Sequence, residues 1–159
     1  MNTRSELTLV DVTLTTVAGA IADNEVISQS IEIPYAVAEK SACSIIQSVV
    51  LNSDDAETPA MDLVFTQVNT AIASAASEAV GASVADLDTA GASVLGHVSL
   101  SNYTNMVDFV TATKTNIGLI IASASTTKSI YVHAINRSGG NFTPTATDDL
   151  HLRIGFIRS

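Results

Sequence analysis

The chain has no tryptophan, only three tyrosines and four phenylalanines, and one cysteine among its 159 residues. So few aromatic rings make a sugar-stacking cleft hard to build. One cysteine, Cys43, excludes an intrachain disulfide. No histidine lies near it in sequence, so it is expected to pack as a small hydrophobe and not to act as a nucleophile. Basic residues are equally scarce: seven Lys and Arg stand against sixteen Asp and Glu, a net charge of −9. Nucleic-acid binding and docking on anionic membranes both need basic patches, so neither is expected. Charged residues of both signs make up only 14 % of the chain, well under the usual quarter. Long apolar runs are missing too. The longest, Ile117 to Ala122, is interrupted by Gly118 and falls far short of the roughly 20 residues that span a bilayer. The polar start, Met1-Asn-Thr-Arg-Ser-Glu, has no apolar signal-peptide core, and none is expected.

What remains is a Thr-, Ser- and Ala-rich chain that is 47 % apolar. Its length suits one domain, 1–159, with a core that needs neither metal nor disulfide. A surface of hydroxyls and methyls is cheap to desolvate compared with one of charges. That points to large protein–protein interfaces; a Thr-rich soluble β domain is the alternative.

The periodicity is that of strands. Leu7 to Val17 alternates, but Leu7 and Leu9 share one phase while Val10, Val12 and Leu14 share the other, which predicts a bulge near Leu9–Val10. Val26 to Ile33 is a strand ended by Pro34. Ser44 to Leu51 is almost continuously apolar, as for a strand covered on both faces. Ala60 to Val68, Leu95 to Leu100, Phe109 to Thr113, Asn116 to Ala124, Ser129 to Arg137 and Leu150 to Ile157 follow, with a break near Lys114–Thr115. The Ala/Ser-rich stretch 69–83 reads as a loop. Ser83 to Asp86 resembles a helix-capping box, predicting one short helix over 84–92. Short strands without βαβ alternation predict an all-β fold: a jelly-roll-like antiparallel β-sandwich with that one helix.

No reactive motif stands out. His97, His133 and His151 are spaced 36 and 18 residues apart, unlike a compact zinc motif, and read as strand-face residues. Asp54, Asp55 and Glu57 lack the glycine and spacing of a calcium loop and read as a solvated hairpin turn; Asp148-Asp149 reads likewise. Asn102, Asn136 and Asn141 head sequons expected by chance in so Ser/Thr-rich a chain. No phosphate loop or nucleophile elbow is present. An enzyme is not expected, and neither is a cofactor or metal.

Seven segments occur in an order and spacing that resemble a family: Ile31-Glu-Ile-Pro34, Ile45-Ile-Gln-Ser-Val-Val50, Asp62-Leu-Val-Phe65, Val94-Leu-Gly-His-Val98, Thr115-Asn-Ile-Gly-Leu119, Ser129-Ile-Tyr-Val132 and Leu152-Arg-Ile-Gly155. Together they resemble small virion structural proteins of tailed bacteriophages, common among marine phages. The likeness runs from Ile31 to the C-terminus, roughly four fifths of the chain; residues 1–25 and 71–82 lie outside it. It implies a β-sandwich on the outer capsid surface, a decoration or cement protein that binds the major capsid protein, as a homotrimer. A tail, fibre or head–tail component, or a host- or carbohydrate-binding module, is the alternative. Asn2, Thr3, Arg4, Ser5 and Glu6, polar and unpatterned, are the candidate arm reaching a capsid neighbour.

Overall fold

The computed structural model describes residues 6–17, 19–54, 58–72 and 93–158. These form strands β1 (Glu6–Leu14), β2 (Val26–Ile33), β3 (Cys43–Ser53), β4 (Met61–Thr66), β5 (Val94–Leu100), β6 (Thr104–Asn105), β7 (Val110–Ala122), β8 (Ile130–Asn136) and β9 (Leu150–Arg158). All pairings are antiparallel. β1 pairs with β9, β2 with β8, β3 with β7 and β4 with β5, so the chain is one long ribbon folded back on itself. Rolling that ribbon brings β3 onto β9 and β4 onto β8. The result is two facing sheets, ordered β1-β9-β3-β7-β6 and β2-β8-β4-β5, which is a jelly roll. The predicted helix over 84–92 and most of the 69–83 loop lie outside the described residues.

The core fills the space between the sheets. β9 contributes Leu150, Leu152, Ile154 and Phe156, and β3 contributes Ile46, Val49 and Leu51; they face Met61, Leu63 and Phe65 of β4 and Ile130, Val132 and Ala134 of β8. Each large side chain buried this way is worth about 1.5–3 kcal/mol. A smaller cluster lies on the outer face of the four-stranded sheet, where Ile72 packs on Val26 and Ile135, with Val64 beside them.

Four expectations need correcting. β1 has no bulge: it pairs with β9 through nine consecutive residues without a shift. The phase change arises because Leu7 and Leu9 point outward while Leu14 is buried and Val10 and Val12 pack on the core. β3 is not covered on both faces. Ile46, Val49 and Leu51 are buried, but Ile45 and Val50 are only half-buried on the open outer face. The acidic segment after β3 is not a hairpin end, because β3 and β4 belong to different sheets. The break near Lys114–Thr115 is a bulge inside one long strand: Ile46 pairs with Leu119 but Ser48 with Thr115, and Asn116 and Gly118 take up positive φ there.

Candidate interaction surfaces

The titratable groups singled out in the sequence are dispersed. His133 points to the outer face of the four-stranded sheet yet is fully buried. The Ser30 N–H donates to its Nδ1 at 3.0 Å, which leaves the ring proton on Nε2, where it is donated to Thr66 Oγ1 at 3.1 Å. The Thr66 hydroxyl in turn donates to the Val68 carbonyl at 3.0 Å. Burial holds the His133 pKa down to about 4. Both ring nitrogens are thus committed to structure. His97 is exposed on the same sheet and His151 on the opposite one. Among the described residues, no three His, Cys, Asp or Glu side chains converge as metal ligands would.

Asp54 is placed at the end of β3, its N–H donating to the Asp149 carbonyl at 3.1 Å, whereas Asp55 and Glu57 lie outside the described residues. The Asp149 carboxylate caps its own turn, accepting from Thr145 Oγ1 at 2.8 Å and the Ala146 N–H at 2.7 Å. Cys43 is exposed at the start of β3, not packed as a small hydrophobe. Asn136 is buried with its amide fully used. Nδ2 donates to the Ile21 and Gly140 carbonyls, both at 2.9 Å, and Oδ1 accepts from the Ser138 N–H at 3.0 Å. That side chain ties a loop down and has no free nitrogen to carry a glycan. Of the candidate arm, Asn2, Thr3, Arg4 and Ser5 lie outside the described residues. Glu6 heads β1 and pairs with Arg158 at 2.8 Å.

On the outer face of the five-stranded sheet the register sets side chains in rows across four strands. The end row is Leu7, Ile157, Ile45 and Ile120, all apolar. The next is Leu9, Gly155, Ser48 and Thr115, and the Leu9 side chain lies over Gly155. Beyond these the face turns polar: Asp11, Arg153, Val50 and Thr113, then Thr13, His151, Asn52 and Thr111. Arg153 clamps Asp11 with Nε–Oδ1 at 2.6 Å and Nη2–Oδ2 at 3.3 Å. Leu7 is 80 % exposed, Leu9 67 % and Ile120 66 %. An apolar patch with these three side chains open is the feature that the alternation pattern could have revealed. Leu7 and Leu9, in the wrong phase for the core, were its signal.

The opposite end of the same sheet carries a second apolar point. The turn from β6 to β7 exposes Met106, Val107 and Phe109, with Val107 90 % exposed at φ +81°. A β-branched residue is strained in that conformation. The turn is held by the Met106 N–H donating to the Phe109 carbonyl and the Val107 N–H donating to Asn105 Oδ1, both at 2.8 Å. The depressions on the two outer faces are shallow. One, of about 310 Å³, is floored by Asp11, Asn52, His151 and Arg153. Another, of about 330 Å³, lies among Asp62, Val64, Ile72 and His97. No Phe or Tyr ring lines either. Burial raises the Asp62 pKa, but hydrogen bonds from Ser99 and Arg137 outweigh it and leave the carboxyl below its ordinary range.

The class these features define is an antiparallel jelly-roll sandwich whose open surface offers apolar contact area. No protein-family model matches the chain, and no curated protein matches it in sequence.

Proposed function

We propose that this chain is a non-enzymatic structural subunit of a bacteriophage virion, a decoration or cement protein that sits on the outer capsid surface and binds the major capsid protein. The observation that supports it best is the apolar row Leu7–Ile157–Ile45–Ile120, its two ends Leu7 and Ile120 largely exposed, on a sheet face with few charges. The resemblance noted above supplies the particle. Cementing requires no reaction. It requires that contact area be buried between neighbours, about 800 Å² per partner in an ordinary interface. A face of leucine, isoleucine, threonine and serine gives up little hydration when covered. Repetition over a lattice adds avidity, so each contact can be modest. The resemblance implies a homotrimer as the assembled form.

Densitometry of purified particles tests the reading. A cement protein is expected at hundreds of copies per particle. A few to a few dozen copies would overturn it in favour of a tail, fibre or head–tail part, and specific retention on a glycan array would favour a carbohydrate-binding module.

A further inference from the structure

We propose that the free edge of β1 pairs with β1 of a second copy of this chain, antiparallel about a two-fold axis at Thr8, joining two five-stranded sheets into one. This rests on the edges of the fold and not on the virion reading, and it sets a two-chain unit against the homotrimer that the resemblance implies.

A sandwich has four sheet edges, and an unprotected edge is a template for another strand. Three of the four are blunted here. β6 covers only Val110 and Thr111 of β7, and the rest of that edge is interrupted by Lys114 and by the bulge where Asn116 and Gly118 take positive φ. β2 meets β8 with two register shifts, and Ser30 within it has φ +53°. β5 is broken by a shift opposite Phe65–Thr66, and Lys114 reaches over to donate to its Ser99 carbonyl at 3.2 Å. β1 has none of these devices. It runs nine residues in unbroken register and contains no proline, glycine or lysine. Among the described residues nothing pairs with its other side. On that edge Leu7 and Leu9 stand exposed.

Register then selects the occupant. Pairing two copies about Thr8 sets Leu7 of each opposite Leu9 of the other, so four leucines meet on one face. Glu6 then falls opposite Val10, so no carboxylate faces another. Centring on Leu9 would set Leu7 opposite Asp11, and centring on Val10 would set Leu9 opposite Asp11. Each of those sets a leucine against Asp11, and neither pairs both leucines of each copy with leucines. Cross-strand apolar pairs are the unit of sheet stabilisation, and a one-residue slip would turn the leucines away from each other. The second copy therefore matches this edge through its own sequence.

Three measurements on the full chain test the pairing. Light scattering at tens of micromolar should give twice the 16.5 kDa chain mass. Leu9→Lys, at an exposed position, should weaken the dimer at least tenfold while the thermal midpoint of the monomer stays within a few degrees. Thr8→Cys in a Cys43→Ser background should form an interchain disulfide under mild oxidation, because opposed Cα atoms at a two-fold lie about 4.5–5.5 Å apart. Thr13→Cys in the same background should not, since residue 13 would face residue 3. A monomeric or three-chain mass, a dimer indifferent to Leu9→Lys, or equal cross-linking at positions 8 and 13 would each overturn the proposal. Particle copy number is untouched by any of these results, so the two readings fail separately.

Discussion

His133 is fixed by two hydrogen bonds and a burial that opposes its charge, and this makes it an acid-sensitive point in the fold. Its pKa is about 4 when folded and near 6.5 when the chain is unfolded. Above pH 6.5 the ring is neutral in both states and adds no pH dependence. As the pH falls below 6.5 the unfolded chain takes up a proton that the folded chain refuses, so stability declines. The decline levels off below about pH 4, where both states are protonated. A shift of this size amounts to about 3 kcal/mol over that window. Gln in its place cannot titrate and keeps only part of the hydrogen-bond chain. His133→Gln should therefore be less stable than the parent by about 1–2 kcal/mol at pH 7.5, the usual cost of an impaired buried bond. By pH 4.5 that gap should close or reverse. Denaturant unfolding at the two pH values measures it, and a gap unchanged between them would refute the assignment.

At the scale of strands, two glycines separate steric from conformational constraint. A Cβ at Gly155 on β9 would come within 2.4 Å of Ser48 Oγ on β3, but its backbone is ordinary and only one small hydroxyl obstructs it. Gly155→Ala should cost about 1 kcal/mol, and Ser48→Ala should recover most of that, leaving a coupling well above the error of additive sites. Gly96 on β5 differs. Its Cβ would lie 2.6 Å from Leu119 Cδ1, and its φ of +151° is one that side-chain-bearing residues rarely adopt. Gly96→Ala should cost about 2 kcal/mol or more, and trimming Leu119 should not restore it, because the backbone strain of order 1–3 kcal/mol stays. Thermal melts of the single and double variants distinguish the two cases. The same strands show what the sequence makes legible. Alternation located nearly every strand, because each sheet has one face to the core. It misjudged β3, where Ile45 and Val50 are apolar for an outward reason that a burial argument cannot supply. It also turned the outward leucines of β1 into a bulge, since a phase change has two causes and only the partner strand tells them apart. Asn136 and His133 looked like a sequon and a strand-face histidine; the long-range partners that define them, 115 and 103 residues away, leave no local mark.

Over the whole molecule, the rolled ribbon puts the last strand at the centre of a sheet. β9 lies between β1 and β3, so the five-stranded sheet cannot form until residues 150–158 are present. Four of its side chains, Leu150, Leu152, Ile154 and Phe156, are buried in the core. Their burial is worth about 6–12 kcal/mol, comparable to the whole stability of a typical domain at about 5–15 kcal/mol. A chain ending at Asp149 loses that burial and two complete ladders, and it leaves β1 with no partner. It should show no cooperative melt and should be digested by protease at the rate of an unfolded polypeptide. The intact chain should refold in milliseconds to seconds, the range for folds dominated by non-local pairing, and only after its C-terminus is available. Pulse proteolysis of the two chains under native conditions decides the matter. A resistant, cooperatively unfolding 1–149 fragment would mean that β3 and β7 hold the sheet without β9, and that the rolled ribbon is not the unit of folding.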